Sequence, residues 1–160
     1  MLPEPLAEAH DSSDFRNQHV DLVHWLRHRA LDNEQARASR TLVSQSEGRV
    51  IGYFALAAGA IECAGVPGSI RRNMPAPIPA IVLARLAVDE RHQGRGLGST
   101  LLSHALRRSL YAGSLIGARV LLCHAADATA RQFYLRHGFV ASPTHALTLM
   151  MDLKQAAALA

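Results

Sequence analysis

Apolar and polar positions follow two successive patterns along the first third of the chain. Apolar residues recur at helical spacing through residues 20–33, which predicts an amphipathic helix with Trp25 at its buried edge. Strand character begins at 41–43, and after a turn at 47–48 the long apolar run 49–58 follows. Two extended segments around a short glycine-containing turn predict a β-hairpin.

The second half of the chain alternates strands with helices. The pattern predicts a central strand at 80–88, a helix from Leu97 to about Tyr111, a short buried strand at 120–123, a helix at 128–137 and a last strand at 147–153. Asp127 is placed to cap the second of these helices, and Gly138 is placed to end it. Because a helix connects the first two strands, they should be parallel. The predicted fold class is therefore α/β, with a mixed central sheet flanked by helices.

The remaining segments carry weaker signals. Residues 1–14 are polar and dotted with prolines, and are predicted as a loosely held arm or a short edge strand. Residues 34–40 fit a second short helix or a basic loop, and the proline-rich residues 63–79 are predicted as an exposed basic loop. Gly113 and Gly117 should break the chain after the long helix, and the alanine-rich tail 155–160 should fray.

Length and composition restrict the class of protein. With 160 residues, 49% of them hydrophobic, the chain can bury a core, and we expect one domain spanning 1–160. The 19% charged residues and a mean hydropathy of +0.04 fit neither a disordered chain nor a membrane protein. The longest apolar run, 53–61, is too short to cross a bilayer, and the first residues show no secretory signal. We therefore expect a cytoplasmic protein in which Cys63 and Cys123 are reduced core residues.

The formal net charge of +4 hides a local excess of positive charge. Between residues 63 and 123 only Asp89 and Glu90 are acidic, whereas eight residues are arginine: Arg71, Arg72, Arg85, Arg91, Arg95, Arg107, Arg108 and Arg119. Such a cluster indicates a polyanionic ligand, a nucleic acid or both, with a merely solvated face as the alternative. His24 and His28 have a spacing that suits a metal, but no third ligand accompanies them, so no metal is expected.

A basic, glycine-rich segment follows the central strand, with glycines at 94, 96 and 98. Between a strand and a helix start, such a segment presents backbone N–H groups that bind phosphate, although a tight turn without a ligand is the alternative. A dinucleotide-binding fingerprint would need an acidic residue about twenty positions later, and residues 116–120 contain none. A P-loop would need Lys-Ser/Thr after Gly98, and it is absent.

Two motifs resemble the GCN5-related N-acetyltransferases (GNAT). The segment Gln93-Gly94-Arg95-Gly96-Leu97-Gly98 is similar to the Gln/Arg-x-x-Gly-x-Gly/Ala signature of that family. Residues 127–139 are similar to its Asn-x-x-Ala-x-x-Phe-Tyr-x-x-x-Gly-Phe helix, with Asp127 in place of Asn. That aspartate keeps the helix cap but adds a negative charge near the cofactor. The two motifs cover about residues 80–140, and the resemblance implies the GNAT fold.

The resemblance also implies a donor, acetyl-CoA, and a set of residues that contact it. The phosphates should lie on the amides of Gln93 to Gly98, with Arg91, His92 and Arg95 available to them, while Leu86 and Val88 hold the pantetheine arm through backbone groups. The complete set of implied cofactor contacts is Leu86, Ala87, Val88, Gln93, Gly94, Arg95, Gly96, Leu97, Gly98, Asp127 and Phe133. Tyr134 is the candidate general acid for the departing thiolate, the alternative being a core tyrosine.

Further segments resemble the acetyltransferase toxins of bacterial toxin–antitoxin pairs, namely 25–33, 38–41, 52–60 and 142–143. This resemblance implies acetylation of the α-amino group of aminoacyl-tRNA, which blocks translation, together with a ribbon-helix-helix antitoxin from an adjacent gene and a homodimer. It departs at Phe15-Arg-Asn-Gln, where those toxins usually carry Cys/Ser-Gly. The N-terminal arm is thus the part of the chain that the resemblance describes least.

The acceptor is the open question. No general base is evident, and an α-amino group with a pKa of about 7.7–8.0 needs one less than a lysine at about 10.4. An aminoacyl-tRNA fits, with a small amine, an antibiotic or a protein N-terminus as the alternative, and a catalytically silent acetyl-CoA-binding module as a third. The arginines predicted to contact the tRNA backbone are Arg37, Arg40, Arg71, Arg72 and Arg85.

Overall fold

Seven strands form one mixed sheet in the computed structural model, which describes residues 2–159. The strands are β1 Glu4–Pro5, β2 Arg40–Ser46, β3 Arg49–Ile61, β4 Ile78–Val88, β5 Val120–His124, β6 Val140–Ala141 and β7 Thr148–Asp152. Their order across the sheet is β1-β2-β3-β4-β5-β7-β6. The helices are α1 Val20–His28, α2 Ala30–Gln35, α3 Gly68–Arg71, α4 Leu97–Ile116, α5 Ala128–Arg136 and α6 Leu153–Leu159. The predicted α/β class with a mixed sheet is confirmed.

The chain divides into two compact units. The first contains the residues up to 57 together with 84–105, and the second contains 58–83 together with the residues from 106 onward. Strands β3 and β4 and helix α4 each begin in one unit and end in the other. The assignment of the whole chain to one domain stays a prediction.

The predicted hairpin in the first unit is confirmed. Strands β2 and β3 pair antiparallel, with Thr41 opposite Ala55. They are joined by Glu47 and Gly48, whose φ values of 53° and 80° are both left-handed, as a tight two-residue hairpin turn requires. Strand β1 pairs antiparallel with β2, so the beginning of the chain is an edge strand and not a loose arm.

The predicted helix at 20–33 is two helices. Arg29 leaves the helical conformation (φ −124°, ψ −31°), and this separates α1 from α2. The change of direction lets Ala30 become fully buried against the same core as Trp25. In that core the indole of Trp25 is 9% exposed, as predicted, and stacks on the Tyr53 ring at 6.0 Å.

In the second unit the strands pair as expected. Strands β4 and β5 are parallel, with Ala80 opposite Val120, and β7 runs antiparallel to β5. The interpretation of residues 63–79 as an exposed loop was wrong in part. Val66 and Ile70 are buried, and the segment contains a 3₁₀ turn and helix α3. These two apolar side chains, four residues apart, anchor the segment. The many prolines in it had favoured the prediction of a loop.

The end predicted for the long helix was wrong, and the tail that was predicted to fray is helical. Helix α4 continues through Gly113 to Ile116, five residues beyond the predicted end. Gly113 lies inside this helix and does not end it, and Gly117, at φ +81°, follows the last helical residue. The tail is helical as far as Leu159 and is anchored by the buried Leu153, while Ala160 lies outside the described residues. Among residues 2–159 no helix is long and apolar enough to cross a membrane.

Candidate active site

The glycine-rich segment lies in the first unit, between the end of β4 and the start of α4. A short 3₁₀ turn at Glu90–His92 follows the strand, and Gly94 and Gly96 then adopt φ values of 76° and 82°. These values are left-handed, which glycine adopts without steric cost. The amide of Thr100 donates to the Gly96 carbonyl at 3.1 Å, so the backbone enters the helical pattern immediately after the second glycine.

The outer surface of this turn is open. A Cβ placed on Gly94 or Gly96 would find no atom within 4 Å. The glycines therefore leave room above the backbone that a ligand can approach, and the first turn of α4 adds its positive dipole end. A negatively charged phosphate group fits this surface. Gln93 and Arg95 are exposed beside it, as predicted.

A glycine that the sequence interpretation missed positions the helix behind the turn. A Cβ at Gly52 in β3 would lie 3.0 Å from Leu101 and 3.2 Å from Leu97, on the first two turns of α4. Its absence lets α4 approach the strand closely, with Leu101 fully buried. A glycine that interrupts an otherwise apolar strand was the signal that could have revealed this contact.

The buried Asp89, immediately after β4, was also missed as a site residue. Its carboxylate accepts from the main chain and the guanidinium of Arg91 and from the Arg16 amide, each at 2.9 Å. The hydrogen bond with Arg91 holds the pKa of Asp89 well below its usual range and raises the pKa of Arg91. Arg91 also binds Asp14, and its availability to the phosphates stays a prediction.

The last residues of β4 present alternating faces. Ala87 is buried in the core, while Leu86 and Val88 are half-buried. The Val88 carbonyl accepts from Asn17 Nδ2 at 2.9 Å and from Gln93 Nε2 at 3.0 Å. Both acceptor positions of this carbonyl are therefore occupied by side-chain amides of the protein, and a ligand that bonds there must displace one of them.

Tyr134 lies in the second unit, on α5. The helix begins as predicted, because Asp127 Oδ1 accepts from the Ala130 amide at 2.8 Å, and Gly138 follows its end at φ +88°. The Tyr134 ring is 7% exposed, with the rings of Phe133 and Phe139 each 5.3 Å away. Burial raises the pKa of Tyr134, so its phenol stays protonated and remains a hydrogen-bond donor.

The cysteines and histidines do not form a second reactive centre. Cys63 and Cys123 are free thiols, as predicted, and burial raises the pKa of Cys123 to about 12, so its thiol is protonated at neutral pH. Cys63 is only half-buried. The rings of His24 and His28 contact each other at 4.6 Å. Within residues 2–159 no group of three or more His, Cys, Asp or Glu side chains could hold a metal ion.

The five arginines predicted to contact tRNA differ in their surroundings. Arg37 in the first unit, and Arg71 and Arg72 in the second, are exposed. Arg40 is bound by the Glu34 carboxylate. The guanidinium of Arg85 lies 4.9 Å above the Trp25 ring, and its Nε is buried without a hydrogen-bond partner among the described residues.

Comparison with known proteins places these features in a family. Residues 37–141 match the family model described as "Acetyltransferase (GNAT) domain". A protein of Mycobacterium tuberculosis (strain ATCC 25618 / H37Rv) named "tRNA-acetylating toxin" is 46% identical over 157 residues, which are 98% of this chain and 95% of that protein.

Two solved structures share the fold at nearly full length. "AtaT complexed with acetyl-methionyl-tRNAfMet" is 26% identical with a TM-score of 0.89, and 99% of this chain and 98% of that chain are covered. "Crystal structure of AtaTR bound with AcCoA" is 26% identical with a TM-score of 0.83, and 99% and 96% are covered. The chain therefore belongs to the GNAT acetyltransferase family.

Proposed function

We propose that the chain is the toxin of a toxin–antitoxin pair, which transfers the acetyl group of acetyl-CoA to the α-amino group of aminoacyl-tRNA and so blocks translation. The observation that carries this proposal is the 46% identity, over almost the whole chain, to a tRNA-acetylating toxin. The likeness to AtaT in complex with an acetylated methionyl-tRNA agrees with it.

The donor would be held mainly by the glycine-rich turn. The open surface at Gly94 and Gly96 and the start of α4 suit the pyrophosphate, and exposed Arg95 adds positive charge. The remaining proposed contacts are Leu86, Ala87, Val88, Gln93, Leu97, Gly98, Asp127 and Phe133. Acetyl-CoA supplies an activated acetyl thioester, and the chain's own task is to orient it and to return a proton to the sulfur.

Tyr134 is the proposed source of that proton. Its phenol is kept neutral by burial, so it is a donor over the whole range in which the acceptor amine reacts. A neutral donor placed at a developing thiolate lowers the barrier to expulsion of the leaving group. The protein then recovers the proton from the acceptor amine through water.

The carboxylates beside the turn are held by an arginine, and this favours an acceptor that loses its proton easily. In the first unit the carboxylates of Asp89 and Asp14 are bound by Arg91, which lowers the pKa of both, so neither is a useful base. An α-amino group needs little assistance near neutral pH. The exposed Arg37, Arg71 and Arg72 are proposed to contact tRNA phosphates, together with Arg85 and the Glu34-bound Arg40.

Incubation with radiolabelled acetyl-CoA and a charged tRNA pool tests the acceptor. We expect label on aminoacyl-tRNA and none on the same tRNA after mild alkaline deacylation, because only the charged form carries the α-amine. Free amino acids, polyamines and peptides serve as the competing acceptors. Label confined to those small amines or to protein N-termini would contradict the toxin proposal and favour the alternative acceptor.

We infer also that the chain acts in the cytoplasm as a homodimer and is neutralised by a ribbon-helix-helix antitoxin encoded beside it. The M. tuberculosis relative is named a toxin, which supports a partner of this type. We expect co-expression with the product of the adjacent gene to restore growth that the toxin alone arrests, and the two proteins to co-purify. Unchanged arrest with both proteins present would contradict this inference.

A further inference from the structure

We propose that Asp89, Arg91 and the segment Asp14–Gln18 form a brace that holds the glycine-rich turn in its phosphate-binding shape. In this brace Arg91 is a positioning residue and not a phosphate ligand. The inference rests on the proposed function only in that the donor is a coenzyme A thioester.

The Asp89 carboxylate is the centre of the brace. Its side chain is 1% exposed, and it follows β4 directly. Oδ1 accepts from the amide and the Nε of Arg91, and Oδ2 accepts from the Arg16 amide and a terminal nitrogen of Arg91, all at 2.9 Å. The Asp89 amide in turn donates to the Ile51 carbonyl at 2.8 Å, which fixes this point to β3.

Arg91 connects this centre to the segment Asp14–Gln18, which is called the arm below. Besides its bonds to Asp89, its guanidinium donates to Asp14 Oδ2 at 2.9 Å and to the Asp14 carbonyl at 2.6 Å. Four of the five guanidinium N–H groups are thus used within the protein. With only one guanidinium N–H group unused, Arg91 cannot bind a phosphate through two parallel hydrogen bonds.

The arm also holds the backbone on both sides of Arg91. The Glu90 amide donates to the Arg16 carbonyl at 2.8 Å, Asn17 Nδ2 donates to the Val88 carbonyl at 2.9 Å, and Gln93 Nε2 donates to Gln18 Oε1 at 3.2 Å. The turn is therefore fixed by the arm at several successive residues up to the point where the glycines begin.

The arm is itself rigidly anchored. The Phe15 ring is 1% exposed and packs edge-on against Tyr53 at 5.8 Å, and the Phe15 carbonyl accepts from the Arg27 guanidinium at 2.8 Å. Residues 16–18 of this segment supply the contacts that fix the turn.

The brace matters because the turn it holds is intrinsically soft. Gly94 and Gly96 lose more conformational freedom than other residues when they are ordered, and no side chain packs on them. Holding Val88 to Gln93 in place reduces the ordering that ligand binding would otherwise require, and this preorganisation raises affinity.

Asp14→Asn separates positioning from electrostatic binding. Asp14 is an acid near a site for a polyanion, so loss of its charge alone should tighten coenzyme A binding or leave it unchanged. The brace predicts weaker binding, because Arg91 loses an anchor. We expect the calorimetric Kd for coenzyme A to rise about threefold in Asp14→Asn, whose carboxylate is part-exposed, and at least about tenfold in Asp89→Asn, whose carboxylate is buried and accepts four hydrogen bonds.

The control is Asp21→Asn, an exposed acid on α1 with the same change of charge, and its Kd should be that of the wild type. In steady-state assays of the brace variants, the KM for acetyl-CoA should rise by about the same factor as the Kd for coenzyme A, while kcat changes by less than about twofold. Arg91→Lys should bind coenzyme A as poorly as Arg91→Ala, because a lysine keeps the positive charge but lacks the planar guanidinium that bonds Asp89 and Asp14 together.

Tighter or unchanged binding in Asp14→Asn, or full affinity in Arg91→Lys, would overturn the proposal. If Asp89→Asn does not fold, Asp14→Asn and Arg91→Lys still test it, with thermal unfolding measured for each. Coenzyme A binding needs no acceptor. A wild type that binds coenzyme A and shows these variant effects, yet acetylates no tRNA, would refute the toxin function and leave the brace supported.

Discussion

Tyr134→Phe should lower kcat for acetyl transfer at least about a hundredfold while the protein stays folded and binds coenzyme A normally. The substitution removes only the hydroxyl of a side chain that is 7% exposed. The packing of the ring between Phe133 and Phe139 is retained, so the unfolding temperature should hardly change. A general acid is needed only as the thiolate leaves, hence the loss should fall on kcat and not on donor affinity.

The pH dependence of the wild type gives a second test of Tyr134. Because burial raises the pKa of its phenol, the residue stays protonated as the acceptor amine loses its proton. With an acceptor whose amino acid is joined to the RNA by an amide, which resists alkaline deacylation, the rate should therefore increase up to about pH 8 and remain level to about pH 10, where an ordinary tyrosine would already be half deprotonated. Tyr111→Phe, at an exposed position on α4, is the matched control and should be fully active. If Tyr134→Phe were as active as the wild type, Tyr134 would not be the general acid.

The parts of the site that sequence patterns predicted are those that depend on neighbouring residues. The glycine-rich turn between β4 and α4, the cap at Asp127 and the stop at Gly138 each follow from local backbone chemistry. The antiparallel pairing of β2 with β3 also followed from a local signal, the turn at 47–48, whereas the shift of register between Ser44 and Gln45 did not.

The features that were missed depend on residues distant in the chain. Arg91 and Asp14 are separated by 77 positions, and no periodicity relates them, so the arginine looked like a free cation beside the turn. Gly113 was interpreted as a helix breaker because glycine has low helix propensity, but helix α4 runs through it to Ile116, because a cost of about 1 kcal/mol does not end a helix of 20 residues that is packed in the fold. The same holds for residues 63–79, where two buried side chains order a proline-rich segment.

Gly96→Ala should raise the Kd for coenzyme A at least about tenfold, since even one charge-assisted hydrogen bond to the phosphates, worth about 1.5–3 kcal/mol, would be lost. A methyl group at this position would occupy the open space above the turn, where no protein atom lies within 4 Å. It would therefore hold the pyrophosphate away from the backbone amides while meeting no obstacle in the free protein. Equilibrium binding measured by calorimetry tests the effect without any acceptor.

The backbone strain of that substitution has to be separated from its effect on the ligand, and the chain offers a matched position. Gly117 has a φ of +81° against +82° for Gly96, and a Cβ there would likewise find nothing within 4 Å. Gly117→Ala should therefore lose a similar stability, about 1–2 kcal/mol, because both alanines are forced into the left-handed region. Only Gly96→Ala should lose coenzyme A affinity. Equal affinity in the two variants would mean that the phosphates do not lie on the Gly96 backbone, and the turn would then have to be regarded as a tight connection between strand and helix.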